Sequence, residues 1–485
     1  MSIMDRIYPV LPSAVQEGLL AIRGMYLKRI RYTKRTWDVF DKLQKTQWYS
    51  EQQLKDIQTD QLIKAYVSAF CNSPFYMETY QKLGMNQQQI KHLDALHTLP
   101  VIKKEEFRRN SDRIVNRRFD RKRLWAAHTS GTSGKPLTAY YTHEDMQTRF
   151  AFFERFYQWY NPVKWRRRAS FTGKIVVRTD RYPDRLYRKN PAINQWLFST
   201  HHMQKQLLGK YIDDLIRCGP DQIDGILSPI YILARHLIGA GLECKIAPKV
   251  VVTTSETLWR HMRQSVEQAF GCSVANQYSS QEGAPFAYQC PQGGFHMCPE
   301  SGIFEVLGPD NVPVKPGQLG RLVVTSFMSE ATPLIRYDIG DTAILSTEKC
   351  SCGRASPCFA AILGRFDDML FSSQTGLVPR VDSAFKGVPS SIVFSQVAQV
   401  GVDTFELRLE VDRDKYRREY GETICHNLTK YLGNRAKIVV TVVDKLPVGA
   451  GGKVKAMVNE FQSKDMTEIS ELWNHYNTSS DYRNM

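Results

Sequence analysis

Short apolar runs alternate with helical periodicity through the middle of this chain. IDGILSPI (223–230), KVVVTT (249–254), CSVANQY (272–278) and GRLVVTSF (320–327) have the apolar character of buried strands. Segments with a helical repeat, SPIYILARHLIGAG and TLWRHMRQSVEQAF, separate the first three. Such alternation over about residues 60 to 360 predicts mostly parallel sheets faced by helices. The pattern changes near GRFDDMLFSSQTG (364–376). Beyond it, DTFELRLEV alternates like a half-buried strand, residues 413–432 repeat like a helix, and AKIVVTVV forms another strand. The expected fold is α/β. A large multi-layer N-terminal domain (1–366) precedes a small α+β lid (367–462) and a polar tail (463–485).

Near the N-terminus, residues 14–31 place Val15, Leu19, Ile22, Tyr26 and Ile30 on one helical face. Arg23, Lys28, Arg29 and Arg31 fall largely elsewhere on that helix, and Gly24 interrupts the pattern. The stripe either docks on the domain behind it or lies on a membrane surface; docking is the commoner arrangement.

Composition narrows the classes. A chain of 485 residues exceeds what one core usually carries. No stretch approaches the roughly 20 apolar residues that span a bilayer, and MSIMDRIYPVLPSAVQ lacks the layout of a secretory signal. The ten cysteines are therefore expected as reduced thiols or metal ligands in a cytoplasmic protein; peripheral contact at the inner membrane face through the basic helix is the open alternative. Net charge is +16, concentrated at 103–123 and 164–189. These clusters favour an acidic partner such as a nucleotide, coenzyme phosphates or anionic lipid. Nucleic acid is not expected, because neither a zinc-finger spacing nor an RNA-recognition signature is present.

The segment HTSGTSGKPLTAYYT (128–142) carries the most chemistry. Gly131 and Gly134 permit close backbone approaches, and successive N–H groups in such a turn form an anion-binding concavity. Hydroxyls of Ser130, Thr132 and Ser133 add donors, and Lys135 adds positive charge. The set suits the triphosphate of ATP, although it is not the P-loop pattern. A flexible surface loop is the plain alternative.

TSGTSGKP resembles the phosphate loop of the adenylate-forming superfamily, which includes acyl-CoA synthetases, adenylation domains and luciferases. YSSQE (278–282), YDIGD (337–341), GRFDD (364–368) and PVGAGGK (447–453) resemble its aromatic-to-glutamate, ribose, hinge and C-terminal lysine motifs, in the same order. The nearest branch is the phenylacetate–CoA ligase-like proteins, including those encoded in polysaccharide-biosynthesis clusters. The resemblance implies ATP and Mg²⁺ as cofactors, a carboxylic acid substrate and coenzyme A as thiol acceptor. It implies that Tyr278 stacks on adenine, Glu282 binds Mg²⁺, Asp341 accepts from the ribose hydroxyls, and Arg365 reaches ribose or phosphate. Ser255 and Glu256 fall where relatives place a loop along the adenine; helix N-capping by Ser255 is the rival reading. Asp367 is the implied hinge and Lys453 the implied catalytic cation, with charge where the adenylation transition state gathers it. His201 and His202 lie in a region that supplies acyl-pocket residues in relatives, but read more simply as structural histidines.

Cys290 and His296, with Cys350 and Cys352, make a closed three-cysteine, one-histidine set of the kind that holds structural Zn²⁺. Cys298 and Cys358 compete for the same positions. The chain departs from the superfamily pattern at Ser279, Gln281 and Val448, and in FSSQTGLVPR, which lacks the glycine-rich form near the pantetheine arm. A carrier protein, amine or sugar therefore stays open as acceptor. So does a non-catalytic scaffold that binds a membrane or polyanion.

Overall fold

Two of the apolar runs of the central region, at 223–230 and 249–254, pair in parallel, as the sequence predicts. The computed structural model describes residues 8–128, 137–178, 185–365, 369–378, 381–385, 389, 391–447 and 454–461. Two compact units share the chain. One comprises Met1–Ala21, Trp165–Val274 and Leu363–Met485; the other comprises Ile22–Lys164 and Ala275–Ile362.

In the first unit, Gln222–Ile226 lies between Val250–Thr254 and Arg168–Phe171, and Gln195–Phe198 follows, all in parallel. Tyr187–Asn190 adds an antiparallel edge. Helices Lys205–Cys218, Leu227–Gly239 and Arg260–Phe270 bury Tyr211, Leu215, Ile230, Leu233 and Phe270 in one core with Phe171, Phe198, Ile223 and Val251. The strands Gln195–Phe198, Gln222–Ile226 and Val250–Thr254 connect through the helices Lys205–Cys218 and Leu227–Gly239, the crossover that parallel pairing needs.

The C-terminal part of this unit is a small α+β fold. Its sheet runs Lys437–Val443, Thr404–Val411, Ile392–Gly401, Met457–Asn459. Only the central pair is antiparallel, joined by a two-residue turn in which Asp403 takes φ +50°. The helix Arg418–Leu432 packs Ile424, Leu428 and Leu432 with Phe405, Leu407 and Leu409. It begins later than the predicted 413, because the Asp412 carbonyl accepts from Lys415 and Tyr416 N–H and holds those residues in a turn.

The second unit departs from the expected parallel arrangement. Gly302–Leu307, Leu319–Ser326 and Tyr337–Leu345 form an antiparallel meander, and Val274–Tyr278, Ala287–Gln289, Phe295–Met297 and Cys358 onward are also antiparallel. The run at 320–327 is buried on both faces, which its composition could not distinguish from a parallel strand. Its connections contain no helix, so neighbouring strands reverse direction. Helices Glu51–Asn72 and Pro74–Lys82 set Tyr66, Tyr76 and Tyr80 into the core that also contains Leu322, Val324 and Tyr337. Reciprocal capping boxes, Ser50 with Gln53 and Thr142 with Asp145, start the helices Glu51–Asn72 and His143–Gln158.

The helix Ser13–Arg31 runs through Gly24 without a break. Its apolar stripe is not buried: Val15, Ile22 and Tyr26 are exposed, whereas Gly24 is buried. Leu19 and Ile30 are half-buried, so the expected docking of the stripe on a domain holds only in part. The side that packs most closely carries Gln16, Leu20 and Gly24.

Candidate active site

The strand Val274–Tyr278 delivers Tyr278 to the point where the chain leaves the sheet. Its phenol donates to Asp341 Oδ2 at 2.7 Å, and its ring meets Phe304 edge-on. Asp341 sits in the strand Tyr337–Leu345, so two residues 63 apart in sequence converge, both half-buried.

The turn after Tyr278 is held from outside. Tyr141 Oη donates to the Gln281 carbonyl at 2.6 Å and Arg149 to that of Ser280 at 3.2 Å. Burial pushes the Tyr141 phenol up to about 12, so it remains a donor at neutral pH. Gly283 takes φ +101°, and a Cβ there would come within 3.0 Å of the Tyr141 oxygen and 3.2 Å of Ser329. Only glycine turns this corner without strain. The turn buries Glu282, whose carboxylate accepts from Lys104 Nζ at 3.0 Å.

In the first unit, Ser255 is exposed with φ +72°. It does not cap a helix, since the next helix begins at Arg260 with Trp259 in the capping position. Glu256 accepts from Ser228 N at 2.7 Å and Ser228 Oγ at 2.7 Å, compensating a free N–H at the start of the helix Leu227–Gly239. The same carboxylate accepts from Val454 N at 3.2 Å. Val454 follows Lys453 in the chain. A cavity of about 220 Å³ nearby is lined by Tyr231, Arg235, Trp259, Phe385, Phe394 and Ala456.

Ser130, Gly131, Thr132, Ser133, Gly134, Lys135, Asp367 and Lys453 lie outside the described residues. The residues flanking the phosphate-loop segment pair as antiparallel strands, with His128 opposite Thr138. Arg365 ends the strand Cys358–Arg365, half-buried. His202 is buried with Nδ1 2.8 Å from Ser199 Oγ, and His201 Nε2 lies 3.3 Å from the Gly173 carbonyl. Both have the structural partners expected of plain histidines.

Cys290, His296, Cys350 and Cys352 place their ligand atoms within 4.8 Å of one another. Cys290 and Cys350 sulfurs are 3.6 Å apart, and Cys352 Sγ is 3.2 Å from His296 Nε2. The other ring nitrogen, Nδ1, lies 3.0 Å from Ser356 Oγ. Burial lowers the His296 imidazole to about 4, leaving the ring neutral as a metal ligand must be. Cys358 approaches that Nδ1 side at 3.4 Å, and Cys298 is outside the grouping, which separates both from the set of four. A Cβ on Gly294 would stand 2.5 Å from Cys350 Sγ and 2.9 Å from His296 Nε2, so glycine keeps this cradle open.

Residues 370–460 match the family described as the CapK C-terminal domain. The chain is 27% identical over 462 residues to Protein CapK of Staphylococcus aureus, across 95% of this chain and 100% of that one. It is 24% identical over 453 residues to the phenylacetate-coenzyme A ligase of Thermus thermophilus, across 84% and 97%. The chain is thus similar over most of its length to CapK and to the phenylacetate-coenzyme A ligases. Its fold is also that of 2-hydroxyisobutyryl-CoA ligase in the postadenylation state, with TM-score 0.70 at 18% identity over 89% of this chain and 94% of that one.

Sequence reasoning missed Lys104, Tyr141, Arg149 and Arg354. Lys104 and Arg149 are basic residues whose partners lie 178 and 131 positions away. Arg354, two residues beyond Cys352, stacks over Trp48 at 4.6 Å and Trp159 at 4.1 Å. The C-x-C-G-R spacing was visible, but the two tryptophans that receive the arginine are not near it in sequence.

Proposed function

We propose that this chain is an AMP-forming carboxylate–coenzyme A ligase. A carboxylate oxygen attacks the α-phosphorus of ATP, forming the acyl-adenylate as pyrophosphate leaves. The thiol sulfur then attacks the acyl carbonyl, forming a thioester as AMP departs and the thiol proton passes to solvent. The observation that carries this reading is the convergence of Tyr278 and Asp341 beside the turn that buries Glu282. An aromatic face, a carboxylate for ribose hydroxyls and a carboxylate for a hard cation are what an ATP site needs in one place.

Tyr278 would present its ring to adenine, and its bond to Asp341 orients the carboxylate toward the ribose. Asp341 keeps acceptor capacity beyond that one bond. Mg²⁺, when bound, would offset phosphate charge, and Glu282 fits it as an oxygen donor already matched to a cation, the Lys104 ammonium. Ser130–Lys135 would hold the phosphates, and Arg365 would reach the ribose or phosphate. Lys453 would supply the adenylation cation; support comes from its chain neighbour Val454, which donates to Glu256. On this reading residues 1–366 bind the substrates, and 367–462 form a lid that turns about Asp367. The cavity beside Ala456 supports a place for the acceptor's thiol-bearing arm.

Cys290, His296, Cys350 and Cys352 would hold Zn²⁺ with a structural role. Tetrahedral zinc–thiolate sites with ~2.3 Å bonds put sulfurs about 3.8 Å apart, and the Cys290–Cys350 separation is 3.6 Å. Four protein ligands leave no open position for catalysis.

Purified protein with Mg-ATP and a panel of acids should exchange pyrophosphate into ATP with at least one acid. Absence of exchange across a broad panel rejects the reading. A second reading keeps adenylation but delivers the acyl group to a carrier-protein thiol, an amine or a sugar. It rests on the post-hinge segment, where Ser373 N donates to Asp403 at 2.8 Å in place of a glycine-rich turn. AMP release that coenzyme A fails to stimulate would favour it.

A further inference from the structure

From Ile22 onward, the helix Ser13–Arg31 turns large apolar side chains to solvent. Ile22, Met25 and Tyr26 are 63%, 57% and 56% exposed. Their spacing of three and four makes them one patch. Trp125 extends the patch, with its ring 6.4 Å from that of Tyr26. Single exposed hydrophobics need no explanation, but a contiguous group on a helix face marks an interaction site.

The charges around the patch say what covers it. Between Gly18 and Trp37 the chain has Arg23, Lys28, Arg29, Arg31, Lys34 and Arg35 and no acidic residue. Arg31 is engaged over the Phe150 ring, and Lys34 pairs with Asp38. Arg23 and Arg29 are exposed; Arg29 lies four residues from Met25, on the patch face, and Arg23 adjoins Ile22. A second copy docking symmetrically would bring these arginines against their own counterparts. A surface with an apolar interior and an anionic edge accepts both groups at once.

We propose that this face docks on an anionic lipid surface. Ile22, Met25 and Tyr26 enter the boundary between headgroups and acyl chains, and Arg23 and Arg29 pair with lipid phosphates. Charge steers the approach, and apolar insertion fixes the orientation.

Flotation of the full chain with vesicles tests this. The protein should float with phosphatidylglycerol–phosphatidylcholine vesicles and not with phosphatidylcholine alone. Ile22→Ser/Met25→Ser/Tyr26→Ser and Arg23→Glu/Arg29→Glu should each lower partitioning at least about tenfold. Circular dichroism and the thermal midpoint should be unchanged, because the replaced side chains are exposed. No flotation with anionic vesicles overturns the proposal. Flotation that both variants retain also overturns it, and assigns binding to the overall charge of +16. A concentration-dependent dimer that the serine variant abolishes, without lipid binding, gives the face to a second copy instead.

Discussion

Lys104 Nζ stands 3.0 Å from Glu282 Oε1, and the carboxylate it meets is 4% exposed. Removing one partner of a buried pair leaves the other charge uncompensated, at a cost of about 3 kcal/mol or more. Lys104→Ala should therefore lower the thermal midpoint clearly. Adding Glu282→Gln should recover much of that loss. Pyrophosphate exchange should stay at least about tenfold down in the double variant, as for loss of a metal-binding group. If exchange returns along with stability, Glu282 has no part in the chemistry.

Tyr278→Phe removes the bond to Asp341 and keeps the ring. Stability should fall by about 1 kcal/mol, and KM for ATP should rise with kcat little changed. Tyr278→Ala also loses the aromatic face, and KM should rise by roughly a further tenfold. Steady-state exchange at varied ATP measures both. Equal effects from the two variants would mean that the ring does not touch the nucleotide.

The four-residue cluster predicts about one equivalent of zinc in the purified protein by elemental analysis, bound by a closed set. Cys350→Ser/Cys352→Ser should lose the ion and melt lower. Cys298→Ser and Cys358→Ser should keep it, because those sulfurs lie outside the set of four. Retention of the ion by the Cys350/Cys352 variant would remove the assignment.

Tyr141 gives a pH dependence with a definite sign. Its folded value is about 12, against 10.0 for a free phenol. The unfolded chain therefore loses this proton first as pH rises. The contribution is complete below about pH 10 and disappears between about 10 and 12. Chemical unfolding across that range should show a shallower alkaline decline in Tyr141→Phe than in the parent, by close to one proton. Tyr141→Phe should also lose about 1 kcal/mol at neutral pH from the missing bond to Gln281. An unaltered alkaline slope would contradict this assignment.

The sequence showed the parts that depend on local pattern. Apolar runs separated by helical repeats gave the parallel strands at 222–226 and 250–254, and alternation gave Thr404–Val411. Strand direction at 319–326 was not legible, since it is set by the length of connections rather than by the strand's own residues. Tyr278 and Asp341 could be named from residue types in ordered motifs, whereas their mutual bond required coordinates. Lys104 gave no signal, because a lysine inside a basic run reads the same whether it faces solvent or a buried carboxylate. Six cysteine and histidine positions were visible as candidate ligands; the direction of the two His296 nitrogens separated Cys358 from the set of four, and position alone separated Cys298.

The interleaving of the two units governs how the polypeptide can be divided. A ribosome that has passed Lys164 has made the whole Ile22–Lys164 segment but none of Ala275–Ile362, which completes its unit. Cleavage at either crossing strands both halves as fragments with open sheet edges, prone to aggregation. A break just beyond Ile362 leaves one complete unit upstream and deprives the other of Leu363–Met485, close to half of it, so proteolysis there should release a folded piece only from the Ile22–Lys164 and Ala275–Ile362 unit.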